Sequence, residues 1–352
     1  MSSDMNISEM LAEQVNRLFA DRIDRDLHVQ TEQGQLNAAL WQEVEGLGLT
    51  RALCSEQQGG ADLNWADCEP VIRLTGTYAA PLPLGETLLA SWSLSMAGLE
   101  IPDGAICVAS DVFRLDGQGR LSGYAEAVNW LPQSAHVVLV AINPKGQTHI
   151  CLVASPSTNA PLTGIDRQPC ASLALDGVSP LLSAPVTLSD LGLLPHMAVL
   201  RSIQIAGALA QVLDLCIEYA NTRVQFGRPI GKFQAIQHMI AELAGKAAAA
   251  QVAGLYAARQ VDKGNAEQGA AIAKSLVSRY ATQACTIAHQ VFGAIGTTDE
   301  HTLHYFTRRL WQWRTEAGSD HWWSERLGQA VLQRPGSQLW EYVTRTQEAF
   351  LH

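Results

Sequence analysis

The chain has 352 residues, 47% of them hydrophobic and 16% charged, which suffices for two or three domains and excludes a largely disordered polymer. Lysine and arginine number 24 against 34 aspartates and glutamates, a net charge of −10. That acidity excludes a general polyanion binder, so nucleic acid is not an expected partner, but it leaves room for one phosphorylated cofactor on a local basic cluster. The 7 cysteines form no CxxC pair and read as buried free thiols of a reducing compartment. The first residues place acids before any apolar run, unlike a secretory signal. Runs such as 135–142 are too short to cross a bilayer, so the expectation is a cytoplasmic chain without a membrane span.

Three zones follow in chain order. Over 1–101 apolar residues recur at helical spacing, with Leu11, Val15, Leu18 and Phe19 as one stripe and Leu36, Leu40, Trp41, Val44 and Leu47 as another. Over 102–195 short apolar runs at 105–109, 135–142 and 149–154 alternate with turn chemistry at Asp116-Gly117, Asn143-Pro144 and Thr163-Gly164, the pattern of a small β domain. Over 196–352 the helical period returns for long stretches. Ile203, Ala206, Ala210, Leu213, Ile217 and Ala220 line one face, Ile236, Ile240, Leu243 and Ala247 a second, and Ile272, Leu276, Tyr280, Ala284, Ile287 and Val291 a third. Small residues dominate 206–288 and suit close packing in a bundle. The expected class is α+β, mainly α: an N-terminal helical domain, a middle β domain and a C-terminal helical bundle, with a short terminal helix after Gln333.

The most informative stretch is 223–238. A long helix ends near Thr222, a Gly/Pro-containing connection brings Arg223, Arg228 and Lys232 together, and a new helix opens near Phe233. Such a connection can hold an anion such as a pyrophosphate; an ordinary solvated loop fits the same residues. The run Arg223, Gln225, Phe226, Gly227, Ile230, Phe233, Gln234 and Gln237 resembles the R-x-Q-F-G-x-x-I-x-x-F-Q-x-x-Q segment of the acyl-CoA dehydrogenase family. Ser55-Glu-Gln-Gln-Gly-Gly60, Asn129-Trp130 and Gln290-Val-Phe-Gly-Ala-Ile-Gly296 are similar to further stretches of that family. The resemblance implies FAD as cofactor. Arg223 and Gln225 would meet its phosphates, Phe226 its adenosine portion with Phe233 and Gln234 nearby, and Gln290, Gly293 and Ala294 would line the same cofactor. Trp130 would flank the isoalloxazine ring, a buried structural tryptophan being the alternative. Acyl-CoA as substrate, an electron-transfer flavoprotein as acceptor and an oligomer with a related subunit are implied in the same way.

The family's reaction, α,β-desaturation of an acyl-CoA thioester, needs a positioned carboxylate because the α-proton is only weakly acidic. Counting from Phe292-Gly293 puts Ala317 at the family's usual base position, and Arg279 falls at the other known one. Glu316, one residue out of register, is the candidate base, and a surface glutamate is the competing reading. Glu300 is a weaker candidate, a helix-start acid. The family's Thr-Glu-Pro step is missing near Val108-Ala-Ser-Asp111, and the β domain is short. Such members resemble subunits of heteromeric acyl-CoA dehydrogenases, in which two related chains share FAD sites and one supplies the base; this chain would be either the working subunit with Glu316 as base or a non-catalytic partner, and several such enzymes act on bulky substrates such as steroid side chains. No HExxH, P-loop, G-x-S-x-G or G-x-G-x-x-G occurs, so metal, kinase, hydrolase and Rossmann readings lack a foothold.

Overall fold

The computed structural model describes residues 7–156, 161–333 and Gly336. The chain divides into two compact units, Met1–Val71 with Ala80–Met197, and Ile72–Ala79 with Ala198–His352.

In the first unit, α1 (Ile7–Arg22), α2 (Arg25–Glu32) and α3 (Ala38–Gly46) are followed by α4 (Trp65–Thr77), whose last turns lie in the second unit, and α5 (Leu84–Met96). Val15 and Phe19 of the first expected stripe, and Leu40, Trp41 and Val44 of the second, are buried. Caps fix two helix starts: Asp24 accepts from the Leu27 amide at 2.8 Å and Asn37 from the Leu40 amide at 2.9 Å. Trp65, Trp92 and His196 cluster, with the His196 ring 4.8 Å from that of Trp92, and burial pulls His196 down to about 4.

The sheet comprises β1 (Ile106–Leu115), β2 (Leu121–Asn129), β3 (His136–Ile142), β4 (Thr148–Ala154), β5 (Pro161–Thr163), β6 (Pro169–Val178) and β7 (Leu182–Pro185), in the order β5-β6-β2-β1-β3-β4-β7. Among the described residues only the β1–β3 pairing is parallel, and β1 shifts register between Ala109 and Val112. The continuous apolar run of β3 reflects burial on both faces, Val137 through Ala141 all being inaccessible. The strand starts at 106, 136 and 148 match the runs expected from sequence; β6, whose second half mixes buried and exposed residues, forms no such run.

In the second unit, α6 (Leu194–Thr222) leads into a two-stranded ribbon of β8 (Val224–Gln225) and β9 (Arg228–Pro229). Then come α7 (Gln234–Asp262), α8 (Ala266–Phe292), α9 (Leu303–Trp313) and α10 (Asp320–Leu332). The residues of α6 belonging to this unit approach the end of α4 at backbone distance. A Cβ on Gly76 would lie 1.9 Å from the Gln204 carbonyl oxygen, and one on Gly207 would lie 2.0 Å from that of Arg73. By length and composition α6 could cross a membrane, contrary to the sequence expectation, but 67% of its most apolar window is buried inside the protein. The large residues expected to form the α8 face, Ile272, Leu276 and Tyr280, are only half-buried. Its packed stripe is Ala270, Ala273, Val277, Ala281 and Ala284, because small side chains let α7 and α8 approach closely. The terminal helix expected after Gln333 lies outside the described residues.

Candidate active site

Two features of the second unit hold most of the candidate residues. The first is the groove around the β8–β9 ribbon. At the end of α6 the Arg223 amide still donates to the Tyr219 carbonyl at 2.8 Å, and the chain then reverses through Phe226 and Gly227, both left-handed at φ 51° and 79°. Two consecutive positive φ values in a two-residue connection are what the twist of a tight hairpin requires. The Ile230 amide closes the ribbon onto the Arg223 carbonyl at 2.9 Å, and the Gln237 side chain donates to the Gly231 carbonyl at 2.9 Å as α7 begins.

This arrangement leaves a groove of about 420 Å³ lined by Arg223, Gln225, Phe226 and Phe233 from the hairpin side and Gln290, Gly293 and Ala294 from the end of α8. Tyr219 stacks on Phe292 with ring centroids 4.3 Å apart to form its floor. Phe226 is 92% exposed and meets Phe233 only edge-on, at 6.1 Å. Arg228 lies over Phe233, its guanidinium carbon 4.3 Å from the ring centroid. Among the described residues the Arg223 guanidinium makes no hydrogen bond or ion pair, so the groove rim carries an uncommitted cation. Gln234 opens α7 on an exposed position and does not line the groove.

The second feature is the turn between α9 and α10. Trp313 ends α9 inside the core and Trp311 stays 37% exposed, as two tryptophans spaced by two on one helix must divide. Ala317 and Gly318 are left-handed at φ 52° and 91°, the Trp323 indole donates to the Ala317 carbonyl at 2.8 Å, and Ser319 caps α10 through the Trp322 amide. Glu316 turns inward: its Oε2 accepts from the Arg201 Nε of α6 at 2.6 Å. Arg201 is 2% exposed and also donates to Gln204 at 2.6 Å, which donates to Thr75 at 3.0 Å. From the other side Lys274 of α8, fully buried, donates to the carbonyls of Arg314 at 3.0 Å and Gly318 at 2.8 Å.

The structure therefore brings Arg223, Gln225, Phe226, Phe233, Gln290, Gly293 and Ala294 together on one groove. Glu316 sits in a different environment, an ion pair with a buried guanidinium. Trp130, in the first unit, adopts φ 63° and is 1% exposed in the sheet core with Phe113, Val128 and Leu131. That is the buried structural position named as its alternative. Glu300 is exposed near the start of α9, and Arg279 donates to the Ser275 carbonyl of its own helix at 3.1 Å. Sequence reasoning missed Arg201, Gln204 and Lys274. The signal was present for Lys274, which falls on the alanine stripe of α8, where a lysine is an exception that needs a partner.

A helical segment, a seven-stranded sheet and a long-helix bundle in this order define an acyl-CoA dehydrogenase-type fold. Residues 190–332 match the family described as acyl-CoA dehydrogenase, C-terminal domain. Acyl-CoA dehydrogenase IpdE2 of Mycobacterium tuberculosis is 28% identical over 314 residues, spanning 86% of this chain and 87% of that protein. FadE34 of the same organism, also an acyl-CoA dehydrogenase, is 29% identical over 81% of this chain and 41% of its own length. The fold matches that of a Tcur3481-Tcur3483 steroid ACAD variant with a TM-score of 0.83 at 23% identity, covering 93% of this chain and 98% of that one. It also matches the ChsE4-ChsE5 complex from Mycobacterium tuberculosis with a TM-score of 0.82 at 20% identity, over 96% and 99%. The chain is thus similar to acyl-CoA dehydrogenases in fold, and over residues 190–332 it matches their C-terminal domain.

Proposed function

We propose that this chain is an FAD-binding subunit of a heteromeric acyl-CoA dehydrogenase, contributing its hairpin groove to the cofactor while a related partner chain supplies the base. One observation carries the reading: Glu316, the carboxylate next to the base position, is bonded at 2.6 Å to Arg201, and Ala317 follows it. Taking up a substrate proton would cost Glu316 that pair and leave the Arg201 charge buried without its counter-ion.

The groove suits the cofactor. A dinucleotide brings two phosphates and an aromatic base, and the groove offers the uncommitted Arg223 beside the exposed ring of Phe226. Arg223 and Gln225 would hold the phosphates, Phe226 and Phe233 the adenosine portion, and Gln290, Gly293 and Ala294 the adjoining wall. Bound flavin supplies the two-electron acceptor for removal of hydrogen from the acyl α and β carbons. An electron-transfer flavoprotein would then reoxidise it. The names of the structural relatives, a steroid ACAD and a two-component complex, support a bulky acyl-CoA substrate and a second subunit.

A second reading, a self-sufficient desaturase with Glu316 as base, is favoured by the 15% exposure its side chain retains. The visible absorption spectrum of the purified chain, alone and co-expressed with a homologous subunit, decides between them. Colourless protein that gains flavin only with the partner supports the heteromer. A flavin band in the lone chain that bleaches with an acyl-CoA, and no longer does so in Glu316→Gln, overturns it for the second reading.

A further inference from the structure

Lys274 is fully buried in an alanine-lined stripe of α8, where an aliphatic residue would be the ordinary occupant. Its nitrogen reaches the carbonyls of Arg314 and Gly318, which bracket the turn at both ends. Between those two anchors lies Glu316, drawn to Arg201 on α6. Thr315, Glu316 and Ala317 are thus spanned by one side chain from α8 and tethered by another from α6. We propose that Lys274 is the positioning residue of this turn, holding the backbone of 314–318 so that Glu316 meets Arg201 and Ala317 keeps its left-handed conformation beside Trp323.

The chemistry of the nitrogen makes this hold proton-dependent. A neutral amine has two N–H donors, matched by the two carbonyls, whereas an ammonium brings a third donor and a full charge into a dry site. The charges that face it are Glu316 from the turn, Arg201 from α6, Arg314 from the end of α9 and Asp320 from the start of α10. Burial outweighs them all and pulls Lys274 from its ordinary 10.5 down to about 7. If the turn opens, Lys274 meets water and regains its ordinary proton affinity. Below about 7 the amine is protonated in both forms, and opening is independent of pH. Above that value the open form binds a proton that the closed form lacks, so closure strengthens as pH rises toward 10.5.

Hydrogen exchange of the full chain, followed on peptides covering 314–319 and corrected for the intrinsic rate, tests this between pH 6 and 9. Protection of the turn should be flat below about pH 7 and rise by up to about tenfold per pH unit above it. The α7 amides should show no such slope. Lys274→Met should abolish the slope and leave the turn less protected than wild type at pH 9. A pH-independent turn in the wild-type chain overturns the proposal, and so does a slope that survives in Lys274→Met. Should that variant fail to fold, the wild-type profile decides alone. These readouts need neither flavin nor a partner subunit, so the result stands apart from the proposed function.

Discussion

The β8–β9 hairpin and the α9–α10 turn share a backbone device and use it in opposite ways. Each places a non-glycine residue in the left-handed region and follows it with a left-handed glycine: Phe226 at φ 51° with Gly227, and Ala317 at φ 52° with Gly318. Such conformations cost of order 1 kcal/mol for a residue with a Cβ and persist only where the surroundings hold them or a function uses them. At Phe226 the result is a ring 92% exposed that meets only the edge-on ring of Phe233 among the described residues. At Ala317 the carbonyl is bonded to Trp323 and the flanking residues are gripped by Lys274 and Arg201. One left-handed pair presents a side chain outward; the other seals a segment inward. The difference separates an exposed hairpin from a turn that is held closed.

The largest expected effect breaks the sealed turn. Arg201→Met removes a guanidinium 2% exposed and leaves Glu316, 15% exposed, without its counter-ion. Loss of one partner of a buried pair should lower stability by about 3 kcal/mol. Urea unfolding with an unchanged m-value is the measurement. A loss below about 1 kcal/mol would mean that the turn is held by its backbone bonds and that Glu316 is freer than its 2.6 Å contact implies.

A paired substitution then compares the two glycines directly. Both have positive φ, so Gly227→Ala and Gly318→Ala carry a similar backbone cost of about 1 kcal/mol. Their surroundings differ: a Cβ on Gly227 meets nothing within 4 Å, and one on Gly318 would lie 2.7 Å from the Trp323 indole nitrogen and 2.9 Å from the Trp322 ring. Gly318→Ala should therefore be the more damaging by a further 1 kcal/mol or so, and it should shift tryptophan emission. Equal losses would show that α10 moves freely enough to accept the methyl group.

The same contrast explains what the sequence could and could not disclose. The hairpin was legible because its candidate residues lie in one local run: Arg223, Gln225, Phe226 and Phe233 keep their spacing whatever the rest of the fold does. The three zones were legible because burial imposes period 2 on half-buried strands and 3.6 on helices. The turn was not, since its conformation is set from α6 and α8, and neither Arg201 nor Lys274 carries a motif. Glu316 could be nominated from its register, but its partner lies 115 positions away and only the folded chain joins them. Trp130 is the converse case, a position matched by motif whose side chain is buried in the sheet core. The α8 face divides: Ala284, Ile287 and Val291 are buried as expected, whereas Ile272, Leu276 and Tyr280 are half-buried beside the packed alanines.

The smallest effect on stability is the one with the largest functional consequence. Phe226→Ala removes a ring that covers almost nothing, so unfolding should shift by less than about 0.5 kcal/mol, the ordinary range for an exposed site. Relieving the bulk at a left-handed position does not add strain, because alanine accepts the same φ at similar cost. If the exposed ring exists to pack against the adenosine portion of the cofactor, flavin retention should fall at least tenfold, about 1.4 kcal/mol of lost binding, in whichever assembly carries flavin. The flavin-to-protein absorbance ratio after gel filtration reports it. Stability and flavin content falling together would place Phe226 in the fold rather than in the site, and the proposed contrast between the two left-handed pairs would collapse. Stability held with flavin lost would separate the outward pair from the inward one by function as cleanly as exposure separates them by geometry.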